Sequence, residues 1–164
     1  MKKGKFKILL VDDEKEFVES LSERLQLRNL DAEIAFDGEE ALEAVQKGEP
    51  DVMVLDLRMP GIDGMEVLRK VKKSHPDMQV VILTGHGTDK DQMQAEKLGA
   101  FAYMKKPVDI DSLVKNLDSA WEKLKKLRGK VDNVIMAAAF AQAGEVEIAK
   151  ETMRDMGKES KKEE

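Results

Sequence analysis

Three aspartates stand where this chain could do chemistry. Asp12 and Asp13 follow the apolar run Lys7-Ile-Leu-Leu-Val11, and Asp56 ends a second run, Asp51-Val-Met-Val-Leu55. Carboxylates at the ends of buried strands are costly unless something compensates them, and the usual compensation is a cation. Three of them converging at neighbouring strand ends would make a magnesium site with one carboxylate left as nucleophile. A carboxylate nucleophile can accept a phosphoryl group and form an aspartyl phosphate. That transfer depends mainly on positioning and charge neutralisation. It needs a divalent cation held by oxygens, a fixed positive side chain, and a hydroxyl beside the phosphoryl oxygens. Asp12 and Asp13 supply the metal-side charge, Asp56 the nucleophile, Thr84 the hydroxyl and Lys106 the cation, with Lys105 as its competitor. Without metal the carboxylates would repel and raise one another's pKa, so magnesium should also stabilise the fold.

The elements that must position these groups are legible as five short apolar runs: Phe6–Val11, Ala32–Phe36, Val52–Leu55, Val80–Leu83 and Phe101–Met104. Each is too short for a helix, and the runs 6–11, 52–55 and 80–83 are continuously apolar, as expected of strands covered on both faces. Between them the spacing is helical. Phe17, Val18, Leu21 and Leu25 line the first helix, Ala41, Leu42 and Val45 the second, and Met65, Leu68 and Val71 the third. The fourth, Thr88–Leu98, has only Met93, Ala95 and Leu98 to bury and should be the most loosely held. The fifth, roughly Asp109–Leu127, carries Leu113, Leu117, Trp121 and Leu124, with Asp109 or Asp111 to cap its start.

Strands alternating with helices imply a parallel sheet with right-handed crossovers. Five such units predict an α/β fold, a flavodoxin-like doubly wound five-stranded sheet in the order 2-1-3-4-5 with a C-terminal helical extension. Ligands of such sheets sit beyond the carboxyl ends of the strands. Asp12, Asp13, Asp56 and Thr84 all fall there, so the topology would produce the required convergence.

Bulk properties narrow the classes of function. The chain has 164 residues, 41% apolar and 4% aromatic, which suffices for one domain of ordinary size plus a modest appendage. A net charge of -5, with 33 acidic and 28 basic residues mixed along the sequence, argues against nucleic-acid binding. There is no cysteine, which excludes disulfides and thiolate metal sites. No apolar run approaches the roughly 20 residues that span a bilayer, and the N-terminus carries no apolar signal segment. The expectation is a cytoplasmic protein without membrane contact.

After Arg128-Gly129 the pattern changes. Val131–Ala143 reads as an alanine-rich helix, Ala143-Gly144-Glu145 as a turn, and Glu145–Met156 as a further helix with Val146, Ala149, Met153 and Met156 on one face. The expected division is a domain over 1–128 including the extended fifth helix, a helical hairpin over 129–157, and a disordered charged tail over 158–164.

The motifs together resemble the receiver domain of two-component response regulators, of the chemotaxis-regulator type. The matching text is Leu9-Leu-Val-Asp-Asp-Glu14, Asp56-Leu-Arg-Met-Pro-Gly-Ile-Asp-Gly64, Leu83-Thr-Gly-His86, Leu98-Gly-Ala100 and Tyr103-Met-Lys-Lys-Pro107. The resemblance implies that Asp56 accepts phosphate from a sensor histidine kinase or phosphotransfer protein. It implies Mg2+ bound by Asp13 and Asp56 directly, by Asp12 largely through water, and by the backbone carbonyl of Arg58. Lys106 would pair with the phosphoryl oxygens, and the proline beside it selects it over Lys105. Thr84 and Tyr103 match the family's switch pair, and Lys106-Pro107 a peptide normally cis there. Arg58 and His86 occupy positions that tune phosphoryl lifetime, and we expect Arg58 to hinder the attacking water.

Blander readings stand beside these. Asp12 and Asp13 could merely cap the first helix, Tyr103 could be plain core, His75 and His86 surface residues, and the ten methionines core filler. The function expected is that of a magnesium-dependent phosphoacceptor switch, not an enzyme acting on an external metabolite. It would phosphorylate and dephosphorylate itself, signal to an unidentified output protein, and pair as a homodimer on phosphorylation. The alternatives are an intermediate carrier in a multistep phosphorelay and a transcription regulator with a minimal output segment.

Overall fold

Five strands alternate with five helices: β1 (Ile8–Val11), α1 (Lys15–Gln26), β2 (Ala32–Ala35), α2 (Gly38–Gly48), β3 (Val52–Leu55), α3 (Gly64–Ser74), β4 (Gln79–Thr84), α4 (Asp89–Lys97), β5 (Ala102–Lys105) and α5 (Ile110–Gln142). The computed structural model describes residues 6–48 and 50–142. The chain divides into two units, Met1–Leu124 and Lys125–Glu164. The strands form one parallel sheet in the order β2-β1-β3-β4-β5, as the alternation predicted.

Side chains alternate across this sheet because the strand period is two. Leu9, Val11, Met53, Leu55, Val80 and Ile82 pack with α2, α3 and α4 on one face. Ile8, Leu10, Val52, Val54, Val81 and Leu83 pack with α1 and α5 on the other. Both faces are covered, which is why β1, β3 and β4 are buried along their whole length. Phe6 closes the second face by stacking on Trp121 at 5.3 Å between ring centroids.

The helix ends explain where the chain turns. Asp63 caps α3 by accepting from the Glu66 N–H at 2.9 Å. Gly64 begins that helix hard against the Asp56 carbonyl and Leu57 Cα, where any Cβ would collide with backbone. Thr88 and Asp91 close a reciprocal capping box on α4. Asp109 caps α5 through the Ser112 N–H at 3.2 Å, while Asp111 instead pairs with Arg28 at 3.0 Å.

Anchoring is uneven. α3 buries Val67, Leu68 and Val71 completely, at roughly 1.5–3 kcal/mol per side chain of that kind. α4 buries only Ala95, with Leu98 beyond its end half-buried. Met93, expected among the buried residues, is 58% exposed. Residues two apart on a helix point about 200° away from each other, so Met93 and Ala95 cannot share a buried face.

A second expectation also needs correction. The fifth helix does not end near Leu127 but runs through Gly129 to Gln142. A glycine inside a helix costs about 1 kcal/mol relative to alanine, and alanine-rich sequence follows it. A Cβ at position 129 would meet nothing beyond its own helix among the described residues, and its φ is not positive. In the first unit α5 buries Leu113, Leu117, Ala120 and Leu124. In the second unit Val134, Ile135 and Met136 are exposed and Ala137 is buried. The turn at 143–145, the helix over 145–156 and the tail over 158–164 lie outside the described residues. None of the described helices is long and apolar enough to cross a membrane.

Candidate functional site

Register brings the aspartates together. Val11 pairs with Leu55 across β1 and β3, so the next residues, Asp12 and Asp56, leave the sheet side by side. The ladder continues one step further, with the Asp12 N–H donating to Ala35 O at 3.1 Å and the Asp56 N–H to Val11 O at 3.0 Å. Leu55 pairs with Ile82, which sets Thr84 at the same edge. The Lys106 N–H donates to Thr84 O at 3.0 Å and carries Lys106 to that edge from β5. Asp12, Asp56, Thr84 and Lys106 thus stand together at the carboxyl ends of the strands.

Carboxylate oxygens of Asp12, Asp13 and Asp56 all lie within 4.8 Å of one another. Asp12 and Asp56 are buried and Asp13 is exposed. Lys106 Nζ donates to Asp12 Oδ2 at 2.7 Å and lies 3.5 Å from Glu14 Oε2 and 3.6 Å from Asp56 Oδ2. Lys105 is exposed, so of the two lysines it is Lys106 that enters the cluster. Its peptide bond to Pro107 is cis. Asp12 Oδ1 also accepts from the Glu14 N–H at 2.9 Å, and α1 begins with no side-chain cap.

The charges are strongly coupled. Burial raises the pKa of Asp12, and the neighbouring Asp56 charge adds to that, against the pull of Lys106 and the Glu14 N–H. Burial alone would lower the pKa of Lys106, but its hydrogen bond to Asp12 and the charges of Asp56, Asp12 and Glu14 outweigh it, and the net shift is upward. One ammonium therefore faces Asp12, Glu14 and Asp56, while Asp12, Asp13 and Asp56 together form a set of hard oxygens that fits a divalent cation such as Mg2+.

On the other side of Asp56 the backbone of Arg58 reaches back, its N–H donating to Asp56 Oδ1 at 3.3 Å. Its guanidinium turns away to Asp91 Oδ2 at 3.1 Å. Asp91 is the third residue of α4 and accepts from the Thr88 N–H with the same oxygen at 3.0 Å. Those bonds, the one from the Thr88 backbone foremost, hold the Asp91 carboxyl below its ordinary pKa.

Thr84 and Tyr103 meet across Gly87. A Cβ there would collide with the Tyr103 hydroxyl and approach Thr84 Cγ2 to 2.8 Å. The Tyr103 hydroxyl is buried with no hydrogen-bond partner among the described residues, and burial with the Asp91 charge raises its pKa. The Thr84 hydroxyl is within 3.5 Å of the His86 N–H. His86 itself is exposed and His75 half-buried at the end of α3.

Sequence reasoning missed four participants. Glu14 and Phe17 stand beside Lys106, Gly87 separates the Thr84–Tyr103 pair, and Asp91 holds Arg58. Only Asp91 left a local signal, the Thr88-x-x-Asp91 capping spacing.

The response regulator receiver domain, as a sequence family, matches residues 8–118. The transcriptional regulatory protein TrcR of Mycobacterium tuberculosis is 32% identical over 149 residues, covering 91% of this chain and 57% of that protein. The C4-dicarboxylate transport transcriptional regulatory protein DctD of Pseudomonas aeruginosa is 35% identical over 139 residues, covering 85% of this chain and 29% of its own length. The chain therefore spans little more than half of the first relative and under a third of the second. Among solved structures, a response regulator receiver domain protein of Clostridium thermocellum superposes with a TM-score of 0.71 at 35% identity, covering 74% of this chain and 98% of that one. A CheY-like receiver domain protein of Methanospirillum hungatei gives 0.71 at 26% identity, covering 76% and 98%. Fold and family point to a signalling switch rather than a catalytic enzyme. By sequence match, sheet order and the placement of its acidic edge, this chain belongs to the response regulator receiver-domain family.

Proposed function

We propose that the chain is a phosphoacceptor switch of two-component signalling and that Asp56 is the residue phosphorylated. One observation carries this reading: a buried carboxylate, Asp56, lies 3.6 Å from the half-buried Lys106 ammonium and within 4.8 Å of two further carboxylates. An Asp56 oxygen attacks the phosphorus of a phosphohistidine on a sensor kinase or phosphotransfer protein. The new O–P bond forms as the P–N bond breaks, and the leaving imidazole nitrogen keeps the electron pair. Water later attacks the same phosphorus, regenerating the carboxylate and releasing inorganic phosphate.

Asp12, Asp13, Asp56 and the backbone carbonyl of Arg58 would hold Mg2+, which when bound supplies charge neutralisation for the phosphoryl oxygens. Lys106 shares its N–H groups between Asp12 and the incoming phosphoryl oxygens. Thr84 offers its hydroxyl to another of those oxygens, and a shift of Thr84 is felt by Tyr103 through their common contact at Gly87. The response spreads through α4, β5 and α5, where α4 is the weakly anchored element. The output is a protein–protein contact, with a partner protein or a second phosphorylated copy, in the cytoplasm where such kinases present their phosphohistidine.

The test is labelling with a small-molecule phosphodonor and magnesium, on wild type and Asp56→Asn, with size-exclusion chromatography before and after. A magnesium-dependent phosphoprotein that disappears in the variant is the expected result. Labelling that survives Asp56→Asn, or none in wild type, overturns the assignment.

A further inference from the structure

Phe17 belongs to the apolar face of α1, yet it is only half-buried where Val18, Leu21 and Leu25 are fully buried. Its ring centroid lies 4.3 Å from Lys106 Nζ. That lysine side chain is only 12% exposed and has its oxygen neighbours, Asp12, Glu14 and Asp56, at 2.7, 3.5 and 3.6 Å. The same ring joins Asp12, Asp56, Leu10 and Leu83 in the wall of a cavity of about 10 Å³, at the lower limit for a single water.

We infer that Phe17 is a positioning residue for phosphoryl transfer, holding the Lys106 ammonium against the carboxylates through the face of its ring. The inference rests on the phosphoacceptor reading of Asp56. A lysine head on a flexible four-carbon stem needs to be held if it is to meet a phosphoryl oxygen on time. An oxygen acceptor in place of the ring would claim one of its three N–H donors. The π-face attracts the charge without claiming any one donor. Lys106 can therefore turn from Asp12 toward a phosphoryl oxygen on Asp56 and keep its contact with the ring. An aliphatic side chain at position 17 would fill similar space but exert no such attraction. It would also widen the cavity beside both buried carboxylates.

The experiment compares the full-length wild type with Phe17→Leu, Phe17→Met and Phe17→Tyr, using a small acyl phosphate as donor at saturating magnesium. The two aliphatic variants are expected to lower the maximal phosphorylation rate about three- to tenfold. The magnesium concentration for half-saturation should stay within about twofold, since no metal-side oxygen has changed. Phe17→Tyr keeps the ring and should restore the rate. A second readout needs no phosphate: the Lys106 ε-protons should carry an upfield ring-current NMR shift in wild type and Phe17→Tyr that is lost in the aliphatic variants. Aliphatic variants as fast as wild type, Phe17→Tyr as slow as they are, or no ring-current shift in wild type overturns this inference alone. Absence of any labelling in wild type overturns the phosphoacceptor reading, and the role of Phe17 falls with it.

Discussion

Two ion pairs flank Asp56, and they differ in little except burial. Lys106 meets Asp12 at 2.7 Å with side chains 12% and 5% exposed, whereas Arg58 meets Asp91 at 3.1 Å with 57% and 23% exposed. The first pair lies between α1 and β5 with Phe17 against it, and the second joins the loop after β3 to the start of α4. A charge buried with its partner is strongly penalised if that partner is removed. An exposed pair of the same kind is worth about 0–1 kcal/mol, because water screens it and replaces either member. The buried pair is therefore suited to hold chemistry in place, and the exposed pair to exchange partners. The helices beside them follow the same division: α1 is anchored by Val18, Leu21 and Leu25, and α4 by Ala95 alone. Motion in response to a new charge on Asp56 is cheapest where anchoring is weakest.

The contrast is tested most directly by removing the buried cation. Lys106→Met leaves Asp12 and Asp56 facing each other without compensation, and should lower the stability of the metal-free protein by about 3 kcal/mol. The same variant should slow phosphorylation by about a hundredfold, as loss of a single well-placed charged donor does elsewhere. Urea denaturation in chelator and donor labelling measure the two effects. If Lys106→Met costs no more stability than an exposed-pair variant, burial is not what separates the two sides.

A smaller effect, with a definite sign, comes from Asp12. Burial raises its pKa above the ordinary 3.8 in the fold. A group so shifted contributes stability that is fully present below the unfolded value and is lost as pH rises through the folded one. In chelator, wild type should lose stability as pH climbs from 3.8 through that raised value, while Asp12→Asn loses less. At neutral pH the metal-free Asn variant should be the more stable of the two, because it has no buried charge to desolvate. Magnesium should reverse the order, since it stabilises only the chain that binds it. Denaturation midpoints with and without magnesium at two pH values decide it, and an unchanged order in magnesium would count against a metal site at Asp12.

The smallest change in stability belongs to the exposed side. Arg58→Ala should shift stability by no more than about 1 kcal/mol. It should nevertheless shorten the lifetime of the phosphorylated protein, because a guanidinium that leaves its exposed pair with Asp91 can turn back toward Asp56 and hinder water there. An unchanged dephosphorylation rate in Arg58→Ala would show that the guanidinium does not guard the phosphoryl group.

Much of the fold and of the acidic edge is legible in the order of residues, for identifiable reasons. Continuous apolar runs at 52–55 and 80–83 fit strands covered on both sides, and the polar residues just beyond them must then meet at one edge of a parallel sheet. Elsewhere local pattern is the wrong guide. Gly129 reads as a helix end because glycine often is one, but its neighbours favour helix and nothing there requires a positive φ. Met93 reads as buried because it is apolar, although helical geometry sets it opposite Ala95.

The alternation of elements, the order of the sheet and the identity of the acidic edge all follow from periodicity and from residues adjacent in the chain. What surrounds that edge follows from packing in three dimensions. Lys106 rather than Lys105 enters the cluster, Phe17 faces it from α1, Gly87 parts Thr84 from Tyr103, and Asp91 takes the guanidinium of Arg58. Most of these partners are distant in sequence, and no periodicity encodes which side chains meet when different helices and loops pack over one edge of a sheet.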